Sequence, residues 1–191
     1  MEVNLDTVTT VLKEARQRLV LAGCETPQLD AELLLAYTLG RERDWLYLYP
    51  QAGLVEDEVE AFLRLVARRE EREPVAYLTG RKAFFGMEFL VNPSVLIPRP
   101  ETELLVETAI ELIKRHTYFS IVDVGTGSGC IAVSLAKYLP QTTIWAIDLS
   151  EQALQVETDA KAAGKQVNAK FRALHDFCLV LLNTNDFFYL N

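Results

Sequence analysis

The stretch IVDVGTGSGCIAVSLA, Ile121 to Ala136, decides how this chain is read. A short β-branched run, IVDV, gives way to Gly125, Gly127 and Gly129, which alternate with small residues. A helical pattern then begins. Glycine at a strand-to-helix turn lets a ligand approach main-chain N–H groups directly, and the N-terminus of the following helix adds a positive end. A second apolar run, Thr143 to Ile147, ends at Asp148, 19 residues beyond Gly129. In a doubly wound sheet neighbouring strand ends lie side by side, so this carboxylate falls beside the glycine turn, where it can accept both hydroxyls of a ribose. Together the two features point to a nucleoside-bearing cofactor.

Which nucleoside is less sharply specified. Gly127, Gly129 and Ala132 satisfy the dinucleotide pattern G-x-G-x-x-A, which would seat a pyrophosphate. Asp123 and Gly125 add a D-x-G-x-G-x-G reading. An acid at the strand end repels pyrophosphate and suits a cationic group, a sulfonium or an α-ammonium. The electrostatics favour S-adenosylmethionine over NAD, with Asp123 free to serve instead as a partner of backbone amides.

The surrounding chain falls into two textures. Up to about residue 75 the apolar spacing is helical. Val8, Leu12, Ala15, Leu19 and Ala22 mark one helix, stopped at Gly23. Thr26 and Pro27 open a second, ended by Gly40, with Leu29, Leu33, Leu34, Ala36 and Tyr37 as its apolar face. A short segment at Trp45 to Tyr49 precedes a third long helix, Glu56 to Glu71, carrying Val59, Phe62, Leu63, Val66 and Ala67. Arg64, Arg68, Arg69 and Arg72 read as a solvated helix face, with a docking face as the alternative. Beyond Pro74 the texture changes. Ala83 to Val91 predicts a hairpin around Gly86. Prolines at 93, 98 and 100 stiffen the approach to a helix from Pro100 to about Arg115, with Leu104, Leu105, Thr108, Ala109 and Leu112 inward. Strand, helix, strand and helix follow at 119–124, 128–137, 143–147 and 150–163.

The 191 residues allow one large domain or two small ones. Half are apolar, which argues against disorder, and a formal charge of −8 argues against broad nucleic-acid or membrane-surface binding. Cys24, Cys130 and Cys178 are odd in number and scattered; they suggest neither a disulfide framework nor a metal site. No signal peptide and no run of 18 apolar residues is visible. The expectation is a cytoplasmic protein and a monomer, with no metal, membrane or direct nucleic-acid partner.

Three segments make the chain resemble the bacterial protein-(glutamine-N5) methyltransferases that modify peptide chain release factors. They are EREPVAYLTGRKAFFGMEFLVNPSVLIPRPETELLVE (Glu71 to Glu107), DVGTGSGCIAVSLA, and IWAIDLSEQAL (Ile144 to Leu154). The resemblance spans roughly residues 5 to 160. It implies S-adenosylmethionine as cofactor and, as substrate, the glutamine amide of a Gly-Gly-Gln loop in release factors. It assigns Gly125, Thr126, Gly127, Ser128 and Gly129 to the cofactor loop and Asp148 to the ribose. Pro98, Arg99, Pro100, Glu101 and Thr102 match the junction lining the active-site region. The fold it implies is α/β: an incomplete class I methyltransferase (Rossmann-like) sheet, residues 99–191. A helical release-factor docking domain, 1–75, and a β-hairpin linker, 76–98, precede it.

That family holds its glutamine with an Asn-Pro-Pro-Tyr signature, and this motif is absent from the chain. The nearest stretch, LVLLNTNDFFYLN, offers Asn183 without either proline. Asp176 is a loose match to an adenine-contacting acid. His175 and Cys178 read as packing or surface residues. No residue is therefore assigned as catalytic. The expectation is a truncated, frameshifted or divergent member whose methyl transfer is impaired or lost. A non-catalytic binding protein that keeps the helical half is the alternative, and an NAD-dependent oxidoreductase a more distant one.

Overall fold

A computed structural model of the chain describes residues 6–115, 120–153 and 170–173. They fall into two compact units that divide between Thr79 and Gly80.

The first unit is helical: α1 (Val8–Leu21), α2 (Pro27–Leu39), α3 (Arg43–Leu48), α4 (Glu56–Glu70) and α5 (Val75–Thr79). Thr7 caps α1 in a reciprocal box with Thr10, so two N–H groups that lack helical partners are satisfied. Gly40 ends α2 in the left-handed conformation. The core gathers Val11, Ala15 and Leu19 of α1, Leu34 and Leu35 of α2, and Phe62 and Val66 of α4. Full burial of each large apolar side chain contributes about 1.5–3 kcal/mol.

Two details of this unit differ from the sequence reading. In α2, Leu29, Leu33 and Tyr37 are exposed, whereas Asp30, Ala31, Glu32, Leu34, Leu35 and Ala36 are buried. Apolar side chains lie all round this helix, so spacing could not phase it; its packing against α1, α3, α4 and α5 does. Nor is the arginine face of α4 simply solvated. Arg69 Nε bonds to Asp30 Oδ2 at 2.8 Å, with both side chains largely buried, and Arg72 donates to the carbonyls of Ala22 and Gly23. Arg64, Arg68 and Arg72 keep the expected exposure, the first two paired with Glu60 and Glu73.

The second unit opens with an antiparallel hairpin, β1 (Arg81–Phe84) and β2 (Met87–Leu90). Phe85 and Gly86 form its two-residue turn with φ of 50° and 67°. Two successive positive φ values match the right-handed twist of the flanking strands. Phe84 and Phe89 are buried with Val106 and Ile110 of α6 (Glu101–Arg115). The end of α5, with Leu78 in the helical core, lies in the first unit, and the hairpin lies in the second. The inward face of α6 is Val106, Ala109, Ile110 and Ile113, while Leu104, Leu105 and Leu112 are exposed. Two apolar stripes compete in this helix, and the hairpin aromatics select the β-branched one.

Three parallel strands complete the described fold: β3 (Ser120–Val124), β4 (Thr143–Asp148) and β5 (Lys170–Ala173), in the order β3-β4-β5. Helix α7 (Cys130–Tyr138) makes the crossover from β3 to β4. Asp123 lies opposite Ala146, and Asp148 opposite Ala173. Sequence reading placed no strand at 170–173, because KFRA is short and half charged. Residues 151–153 begin the helix expected from Ser150, whose remainder lies outside the described residues. So do Asn183, His175, Asp176 and Cys178.

Candidate cofactor site

The turn between β3 and α7 is folded onto the end of β4. Gly125 N–H and Thr126 N–H both donate to the Ile147 carbonyl, at 2.7 and 3.0 Å. Gly129 N–H then donates to Thr126 O at 2.9 Å, closing the loop before α7 starts. Gly125 and Gly127 have φ of 76° and 56°, values that cost an L-residue about 1–2 kcal/mol. Among the described residues, a Cβ at either position would meet no heavy atom within 4 Å. Their bareness therefore answers no crowding by these residues: it leaves open space above the backbone, as a ligand would need.

Asp148 is fixed beside this space by two backbone bonds. Its Oδ2 accepts Gly127 N–H at 2.8 Å, and its Oδ1 accepts Ser150 N–H at 2.9 Å. Ser150 Oγ in turn caps the next turn through Ala153 N–H at 3.1 Å. Each carboxylate oxygen keeps an acceptor site after one bond, so a vicinal diol can still be held. Ser150 was missed as a site residue, although the Asp-x-Ser spacing is that of an Asx-turn.

Asp123 faces inward. Its Oδ2 accepts the Thr126 hydroxyl at 2.8 Å, and Ala132 N–H also bonds to it. Burial pushes this carboxyl above its ordinary range, against the pull of these two donors, and the nearby Asp148 charge adds to the rise. Its immediate role is to staple the turn. Ser128 Oγ is buried at the entry to α7, beside the Cys130 thiol. Burial likewise raises the Cys130 thiol, which keeps it protonated and unreactive at neutral pH.

The junction residues stand apart from this bonded set. Pro98 is buried, whereas Arg99, Pro100 and Glu101 are exposed. Arg99 and Pro100 carbonyls accept the N–H groups of Thr102 and Glu103, each at 3.0 Å, and so start α6. Glu103 Oε1 accepts Phe85 N–H at 2.9 Å and ties α6 to the hairpin turn. Sequence reading gave Glu103 only a helix-dipole role. Among the described residues, no cluster of His, Cys, Asp and Glu could hold a metal, and no helix is long and apolar enough to cross a membrane.

Comparison with known proteins places this geometry. Residues 10–80 match the family described as PrmC N-terminal domain, and residues 100–177 match the methyltransferase small domain. A curated release factor glutamine methyltransferase from Koribacter versatilis is 43% identical over 166 residues, 87% of this chain and 59% of its own length. Another, from Nitratidesulfovibrio vulgaris, is 47% identical over 148 residues, 78% of this chain and 50% of its own. The chain matches the release factor glutamine methyltransferase family.

A bifunctional methyltransferase from Rickettsia typhi is 34% identical over 198 residues, 94% of this chain and 38% of its own. The chain thus spans about half the length of the curated relatives it matches. A solved structure of the plantazolicin methyltransferase BpumL in complex with SAH covers 82% of this chain and 45% of its own at 18% identity. Its TM-score is 0.33, too distant to carry an argument. The methyltransferase small domain match includes the glycine turn and Asp148, and the other match covers the helical bundle. A helical bundle followed by a hairpin and a parallel sheet is the α/β arrangement of an open class I methyltransferase.

Proposed function

We propose that this chain serves methyl transfer from S-adenosylmethionine to the side-chain amide of the glutamine in the Gly-Gly-Gln loop of release factors. The observation that carries the reading is the Gly127 to Asp148 bond, which joins the bare turn to the acid suited to a ribose. Asp148 would hold the ribose hydroxyls. The open backbone at Gly125 and Gly127 would admit the rest of the cofactor, with the Asp123 charge behind the turn. When bound, the cofactor supplies an electrophilic methyl on a sulfonium. The residues of this chain bind and orient it and supply negative charge close by. The helical unit would dock the release factor.

An amide nitrogen is a poor nucleophile, so its alignment with the methyl group carries much of the acceleration. The Asn-Pro-Pro-Tyr motif that supplies this alignment in the family is absent from these 191 residues. The reading is therefore of a chain that binds cofactor and partner, with methyl transfer by these residues alone weak or lost.

Calorimetric titration with S-adenosylmethionine, its demethylated product and NAD, followed by a methylation assay on a release factor, tests this. Binding of the first two is expected. Binding of NAD alone would refute the proposal, and rapid glutamine methylation would refute the impairment.

A further inference from the structure

A groove of about 830 Å³ runs along the helical unit between α1, the start of α2 and α3. Leu12, Val20, Leu21, Leu46 and Tyr47 line it. Val20, Leu21 and Tyr47 are exposed at 53, 88 and 61%, so this apolar surface is open. At its floor, the buried Glu32 is neutralised within the unit: Gln28 and the Tyr47 hydroxyl donate to it, and Arg43 lies 3.7 Å away.

The cations of this unit are unevenly satisfied. Residues 6–79 contain nine Lys and Arg. Arg18, Arg43, Arg64, Arg68 and Arg69 pair with carboxylates, Arg41 lies over the Trp45 ring, and Arg72 donates to backbone carbonyls. Lys13 and Arg16 are the remaining two. Both are exposed, both lie on the groove, and neither has a carboxylate partner among the described residues. Three positions apart on α1, they stand one helical turn from each other on the same side. In a chain of formal charge −8, two uncompensated cations beside an open apolar groove form a local exception.

We propose that this groove is a protein-docking site for an acidic amphipathic helix of the partner. Its apolar side chains would fill the space beside Leu12, Val20 and Leu21, and carboxylates one turn apart would pair with Lys13 and Arg16. Helix-in-groove recognition takes its affinity from such apolar anchors and its register and on-rate from the rim charges. The inference rests on the release-factor reading and deepens it by naming where and by what chemistry the partner binds.

The test measures binding of a purified release factor to the full chain by fluorescence anisotropy at several salt concentrations. The variants are the double charge reversal K13E/R16E and, separately, Leu21→Ser. S-adenosylmethionine binding and thermal melting serve as controls. All three residues are exposed, so the fold should survive. Each variant is expected to weaken release-factor binding at least tenfold, with cofactor binding unchanged. The charge reversal should also flatten the salt dependence. Unchanged affinity in both variants would overturn the groove alone. Failure of the unaltered chain to bind any release factor would overturn the groove together with the release-factor reading. Self-association abolished by the variants while release-factor binding persists would overturn the groove as the partner's site.

Discussion

The Asp148 carboxylate accepts the backbone N–H of Gly127 at 2.8 Å, across 21 residues of sequence. This bond makes one site out of two strand ends. It fixes the acid against the turn, where Gly127 has a positive φ of 56°. Asp148→Ala removes the charge, the two backbone clamps and the acceptors left for a diol. Hydrogen bonds to charged groups contribute about 1.5–3 kcal/mol each. Calorimetry should therefore show cofactor binding weakened at least tenfold. Asp148→Asn, which keeps one acceptor oxygen, should lie between.

Gly127→Ala separates the two reasons for glycine. Strain at φ 56° should lower the stability of the free protein by about 1–2 kcal/mol in urea denaturation. The added Cβ meets no atom of the described residues, and on the proposed function it would intrude on the cofactor's space. Cofactor affinity should fall by more than the stability loss explains. An unchanged affinity would remove the turn from the site.

Asp123 predicts a conflict between stability and binding. Its folded pKa is raised, first by burial. Over the interval from its unfolded value up to its folded one, the folded state therefore holds more protons, and stability falls as pH rises. At neutral pH the charged form is a net cost. Asp123→Asn should stabilise the free protein at pH 7 by about 0.5–1 kcal/mol, since the amide can still bond to Thr126 and Ala132. The same change should weaken binding of a cationic cofactor more than that of its neutral-sulfur product. Melting curves at pH 4 and 7, read beside titrations with both molecules, check each half.

Glu70 shows the opposite sign. Its carboxyl is held below the usual range by the Arg18 hydrogen bond. The contribution of that pair is present above the unfolded carboxylate pKa and is lost as pH falls through the folded one. Both side chains are about a third exposed, so Glu70→Gln should cost well under about 1 kcal/mol at pH 7.

Arg69 and Asp30 are far more enclosed, at 13 and 6% side-chain exposure. Arg69→Met leaves Asp30 buried with the Thr26 hydroxyl as its only side-chain donor among the described residues. Breaking a buried pair in this way costs about 3–5 kcal/mol. The double change Arg69→Met, Asp30→Asn should recover a large part of it. Denaturant unfolding of the three variants measures both values, and equal stabilities would show that the pair contributes nothing.

Sequence alone determined the order of the long helices, the hairpin and the first two parallel strands, with the glycine turn and its acid, because these depend on local chemistry; it did not show α5 or β5. Periodicity marks helices and strands, Pro27 and Gly40 mark helix ends, and a bare turn followed by a strand-end acid is legible as a candidate nucleoside site. Tertiary structure decided the facing of ambiguous helices. The apolar side chains of α2 lie all round, and α6 carries two competing stripes, so only their neighbours could choose Ala31 over Leu33 and Val106 over Leu105. It also decided which charges are structural. Arg69 and Arg64 are alike in sequence, but one meets Asp30 from another helix, 39 residues away, and the other pairs with Glu60 of its own helix at the surface. The same holds for Asp123. Its position at a strand end was legible, but its inward turn toward Thr126 was not, since that depends on how the loop closes over the sheet.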